Sequence, residues 1–121
     1  MAKDQRAITG QPVWVCIDTI KPERRDEFRR FLFEIKLPAV QAIRPTAHAS
    51  VRLLEPAASN PDGSWPFIWL MDPAIPGEDY DTEAMFAAFY GPEMAAEYMR
   101  RWDKDFSVGE QQFHEMIQTD W

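Results

Sequence analysis

One run of seven residues, Trp65-Pro66-Phe67-Ile68-Trp69-Leu70-Met71, constrains this chain more than any other. It is preceded by the turn-forming Asn60-Pro61-Asp62-Gly63-Ser64 and stopped by Asp72-Pro73. A run this short and this aromatic predicts a strand, because aromatic side chains suit a pleated surface. Its apolar side chains fall on both parities: Trp65, Phe67, Trp69 and Met71 on one, Ile68 and Leu70 on the other. A strand apolar on both faces must be covered on both faces. In a chain of 121 residues, one cover is the chain's own helices and the other is expected to be a second subunit.

The same two-sided apolarity marks Val13-Trp14-Val15-Cys16-Ile17-Asp18-Thr19-Ile20, predicted as a central strand after Pro12. Residues 1–11 are polar and aperiodic and read as a flexible N-terminal arm; residues 12–121 read as a single domain. Lys21-Pro22-Glu23 opens a helix, since proline fits a first turn and a carboxylate suits the positive end of the macrodipole. Phe28, Phe31, Leu32, Ile35 and Ala39 form its apolar stripe, with Arg24, Arg25, Arg29 and Arg30 opposite. Pro38 should interrupt that helix by crowding the carbonyl of Glu34, and Arg44-Pro45 should end it.

Ala47 to Glu55 alternates His48, Ser50 and Arg52 against Ala49, Val51 and Leu53, which predicts a second strand nearer an edge. After the aromatic strand comes the acidic, proline-bounded stretch Asp72 to Tyr80. Asp81 or Thr82 then caps a helix with Met85, Phe86 and Phe89 on its apolar face. Gly91-Pro92 breaks this helix and starts another, whose stripe is Ala95, Tyr98, Met99, Trp102 and Phe106. Gln112 to Thr119 alternates as a last strand. The order is β-α-β-β-α-β, the split βαβ arrangement of an α+β, ferredoxin-like fold with an antiparallel sheet.

Composition excludes several classes of partner. A net charge of −7 argues against nucleic acid and anionic membranes, which both select clustered Lys and Arg. The lone Cys16 sits in an apolar run and reads as a buried, inert thiol. The first residues carry no apolar signal stretch, and nothing approaches the ~20 apolar residues of a membrane span, so the expected location is the cytoplasm.

The strand running into Lys21-Pro22 and the Glu/Arg-rich helix, the stretch Leu37-Pro38-Ala39-Val40, and the two-part helix around Phe89-Tyr90-Gly91-Pro92-Glu93 together resemble the dimeric α+β barrel superfamily. Its members include antibiotic-biosynthesis-type monooxygenases, EthD-like proteins and NIPSNAP-like proteins. The resemblance spans nearly all of the chain from Val13. It implies a homodimer joined through the sheet faces, with a pocket between sheet and helices in each subunit. It further implies a small apolar or aromatic ligand, with oxidation or proton transfer that uses no cofactor. A non-catalytic binding, accessory or structural role on the same scaffold stays open beside it. Haem-degrading members use an Asn-Trp-His set with the Asn on the first strand. Here the single Asn is Asn60, in a loop, which argues against haem degradation.

Three titratable residues are candidates for chemistry. Asp18 is the one charge in the first strand, and His48 and His114 are the two histidines, both expected on strands. The split βαβ order makes Asp18 and His114 expected neighbours across one ladder, where a carboxylate beside an imidazole forms a base near neutrality. The plainer alternative is two isolated histidines and a carboxylate satisfied by water or an Arg. Trp14, Trp69 and Tyr98, with Trp65 and Trp102, are candidates to line an aromatic pocket, or else simply core. No metal site is expected: the acidic group Asp72, Glu78, Asp79, Asp81 and Glu83 lacks the spacing of a calcium loop, and no histidine pair has zinc spacing.

Overall fold

The computed structural model describes residues 6–121. Four strands, β1 (Pro12–Ile20), β2 (Val51–Leu54), β3 (Trp65–Met71) and β4 (Gln112–Ile117), form one antiparallel sheet in the order β2-β3-β1-β4. The first crossover carries α1 (Arg25–Phe31), α2 (Leu37–Ile43) and α3 (Pro45–Ser50); the second carries α4 (Thr82–Tyr90) and α5 (Pro92–Arg100). This is the ferredoxin-like α+β arrangement, with β1 central and flanked by β3 and β4. No helix among the described residues is long and apolar enough to cross a membrane.

The helices lie on one face of the sheet. Cys16, Asp18 and Ile20 of β1 and Phe67 and Trp69 of β3 are buried beneath them. Phe28 is fully enclosed, with ring centroids at 4.9 Å from Phe67, 5.5 Å from Trp102 and 5.6 Å from Phe106. Of the stripe expected on the second helical unit, Ala95, Tyr98, Trp102 and Phe106 are buried and Met99 is partly buried against the core. Asp81 caps α4 through its carboxylate, which accepts from the Glu83 amide at 3.2 Å. Gly91, at φ 92°, ends α4 in a backbone region that only glycine enters freely, and Pro92 starts α5.

Both helical units contain a widened, π-type turn: Leu32–Lys36 between α1 and α2, and Arg101–Phe106 after α5. The first lies just ahead of Pro38. A proline ring cannot sit against the carbonyl one turn back, and a widened turn removes that conflict without ending the helix. Such turns also shift the angular phase of the residues they contain, which bears on the site described below.

Two expectations need correction. Ala47–Ser50 is not the start of the second strand; it belongs to α3, and β2 begins only at Val51. Pro45 occupies a first helical turn comfortably, alanine favours helix, and the Ser50 hydroxyl donates to the Ala47 carbonyl at 2.9 Å. Ala47 and Ser50 are both buried, a helical three-residue repeat that strand alternation would have separated. His48 is therefore a helix residue. The stretch 7–11, expected as part of a flexible arm, is tied to the body. The Ala7 amide donates to Asp72 Oδ1 at 2.7 Å, and Gly10 donates to the Gln118 carbonyl at 2.9 Å. Residues 1–5 of that arm lie outside the described residues.

Candidate functional site

Asp18 projects from β1 toward the helices and is 3% exposed. Three donors converge on its carboxylate: Trp69 Nε1 at 2.8 Å, Trp102 Nε1 at 3.1 Å and Gln111 Nε2 at 3.0 Å. Indole and amide N–H groups only donate, so they match a carboxylate that only accepts. Asp18 thereby fixes two indole rings from different elements, one on β3 and one on the π-type turn after α5. Their centroids lie 6.2 Å apart with planes tilted 36°.

Over those rings sits Lys36, the last residue of the other π-type turn. Its Nζ is 3.6 Å from the Trp69 ring centroid and 4.8 Å from that of Trp102. The ring faces attract the ammonium, and their N–H edges point to Asp18. Burial nonetheless dominates its protonation. Loss of hydration pulls the Lys36 pKa from 10.5 down to about 8, against the opposing pull of Asp18 and Cys16. The neighbouring Cys16 thiol is pushed up, first by burial and then by Asp18.

Lys36 lines a cavity of about 400 Å³ between the sheet and the first crossover. Its walls are mostly apolar, with Trp14, Trp69, Val40, Leu53, Met71 and Met85 among them. Trp14 is held edge-on against Tyr80 at 5.7 Å and Phe113 at 5.5 Å. At the rim, Arg44 Nη2 pairs with Asp79 Oδ2 at 2.9 Å, linking the end of α2 to the acidic loop. A second, polar cavity of about 760 Å³ shares Tyr80, Asp81, Thr82 and Gln111 with the first and includes Asp18 in its lining. The first has the walls that suit a mostly apolar ligand.

The sequence candidates separate cleanly. Trp14, Trp69 and His48 line the apolar cavity, His48 from α3. Tyr98 does not: it is core, ringed by Phe31, Phe86 and Tyr90 at centroid distances of 5.9, 5.7 and 5.0 Å. The expected Asp18–His114 pair does not form. His114 lies opposite Val15 in the β1–β4 ladder, and Cys16 opposite Phe113. Asp18 and Cys16 share the helix face, so His114 points to the other one. No group of three or more His, Cys, Asp or Glu side chains that could hold a metal ion occurs among the described residues.

Lys36 is the residue that the sequence reading missed. Its signal was present: it stands four residues after Leu32 and three before Ala39, both buried. It is also the one lysine in a helical stretch whose other cations are arginines.

No family model matches the chain, and no curated protein matches its sequence. A solved structure from Caulobacter crescentus, described as a "putative antibiotic biosynthesis monooxygenase", is similar to 93% of this chain and covers 92% of its own, at 12% identity and a TM-score of 0.48.

Proposed function

We propose that this protein binds a small, mostly apolar or aromatic molecule in the sheet–helix cavity and carries out proton transfer on it through Lys36. The observation that carries this reading is the Lys36 amine, seated 3.6 Å over Trp69 in the wall of a 400 Å³ apolar cavity. An amine with a pKa of about 8 keeps a usable neutral fraction at neutral pH. It accepts a proton from a phenolic, enolic or otherwise acidified group, and the ammonium formed stays beside the resulting anion. Such an anion is the electron-rich species that cofactor-independent oxidation by dioxygen requires. Asp18 acts as a positioning residue, because its oxygens already receive three donors. That commitment of Asp18 also favours a second reading, a ligand-binding protein with no turnover.

The functional unit in this proposal is a homodimer joined through the open sheet face. Val13, Val15 and Ile17 of β1 and Ile68 and Leu70 of β3 lie there half-buried, while Met116 is 52% exposed. These residues form a continuous apolar ladder, with His114 beside Val15. An interface of this kind would bury more than ~1,000 Å² in total. Sedimentation equilibrium should return twice the 14.1 kDa chain mass. Leu70→Glu should return a monomer, and a native monomer at micromolar concentration would remove the dimer from the proposal.

Ligand binding is tested with 2-naphthol, an aromatic body with one acidic hydroxyl. It should quench tryptophan fluorescence saturably, with one site per chain. Leu53→Trp, which fills the cavity, should abolish the quenching while leaving the circular dichroism unchanged. Quenching that does not saturate, or that survives Leu53→Trp, contradicts the site.

A further inference from the structure

We propose that Lys36 captures carbonyl compounds: its Nζ condenses with an aldehyde or ketone lodged in the sheet–helix cavity and holds it as an imine. This rests on the binding reading above and deepens it by naming the reactive group of the ligand.

Four features of the site support this chemistry. Lys36 lines the cavity, so an aromatic body resting against Trp14 and Met71 can present its carbonyl carbon to the amine. Among the described residues the Lys36 Nζ makes no hydrogen bond and no ion pair, so no such contact must break before attack. The Lys21 Nζ, by contrast, is engaged: it donates to the Lys104 carbonyl at 2.8 Å. Burial holds the Lys36 amine closer to its neutral form, the nucleophilic one, than an exposed lysine. The product also fits. A protonated imine carries the same positive charge as the ammonium it replaces, over the same indole faces that Asp18 orients.

The reaction balances with water as its only by-product. The amine lone pair forms a C–N bond as the carbonyl π pair moves to oxygen, giving a carbinolamine after proton transfer from nitrogen to oxygen. Loss of that oxygen as water leaves C=N, and the polar residues shared with the second cavity, Thr82 and Gln111, mark a path for the water. No oxidant or reductant is needed. The other nucleophile in the wall, Cys16, competes poorly because burial and Asp18 keep its thiol protonated.

The test is reductive trapping on the full chain at pH 7 with 2-naphthaldehyde and sodium cyanoborohydride, read by intact mass and peptide mapping. The sequence has four lysines, Lys3, Lys21, Lys36 and Lys104, and mapping also resolves the α-amine. Lys36 should be labelled at least ~10-fold faster than the other three, as expected for an amine with a lowered pKa. Lys36→Arg should lose the fast adduct. In the unmodified protein 2-naphthol, which has no carbonyl, should protect Lys36, so the outcome does not depend on the variant folding. Labelling of Lys36 at the rate of Lys21 and Lys104 overturns the proposal. If 2-naphthol binds saturably and Lys36 is still not trapped, imine formation fails and the binding reading stands. If neither occurs, both fail.

Discussion

The layer between sheet and helices has two ends, one filled and one hollow. At the filled end the rings of Phe31, Phe67 and Phe106 pack on Phe28, and all four are buried, as is Ile20. At the hollow end Val40, Ala47, Val51 and Leu53 do not reach across to Trp14, Trp69 and Met71, and the 400 Å³ cavity lies among them. Lys36, Asp18, Trp69 and Trp102 stand at the boundary between the two. Aromatic packing supplies rigidity where nothing needs to bind, and the boundary positions a charged group where something can. The hollow end has given up packing, and the amine beside it costs stability instead of adding it. Such sacrifices of stability are expected at functional sites.

The comparison breaks most sharply at Phe28. Phe28→Ala should cost about 3–5 kcal/mol, because the surrounding rings cannot collapse into the space. Urea unfolding showing a loss below about 1 kcal/mol would mean that the filled end is not close-packed.

Asp18→Asn should come next, at about 2–4 kcal/mol. A carboxamide presents one acceptor oxygen and two N–H donors to three incoming donors, so at least one buried N–H loses its partner. The same change removes the charge that holds the Lys36 pKa up, so that pKa should fall further. Unfolding midpoints and lysine NMR titrations read the two effects separately.

Lys36→Met should stabilise the protein by about 1–2 kcal/mol at pH 7. Relieving the depressed pKa contributes about 1.4 kcal/mol per unit, partly offset by the lost attraction of the rings. The sign follows from proton binding. Between about 8 and 10.5 the unfolded chain holds a proton on Lys36 that the folded chain does not, so native stability rises with pH across that window. The advantage of Lys36→Met should therefore shrink above pH 8 and vanish above 10.5. A variant less stable than the native protein at pH 7 would place Lys36 among the stabilising contacts.

Much of this arrangement was legible in the chain. The two-sided apolarity of β1 and β3 marked the central strands, and the stripes from Phe28 and Ala95 marked the helix faces that cover them. Short, small-residue segments were less legible. Ala47–Ser50 alternates in polarity, but four residues fit a helical turn equally well, and Pro45 and the Ser50 hydroxyl decide the matter. The Asp18–His114 pairing failed on register. A shift of one residue in β4 would have turned His114 toward Asp18, and sequence does not set that shift for a strand exposed on both faces. Lys36 escaped because a lysine among arginines on a helix reads as a solvated face. The widened turn ahead of Pro38 alters the phase on which that reading depends.

The smallest expected effect lies at the hollow end. Val40→Ala enlarges a space that is already present and should cost under about 1 kcal/mol, well below the penalty at Phe28. Its readout is the 2-naphthol affinity, which should change more than the unfolding midpoint does.

The most direct measurement is the titration of the lysine Cε resonances in ¹³C-labelled protein, assigned with Lys36→Arg. The four lysines give four curves, and the one lost in Lys36→Arg should have its midpoint near 8. A Lys36 midpoint at the free-lysine value of about 10.4 would mean a solvated amine, and the desolvated site between Trp69 and Trp102 would not exist.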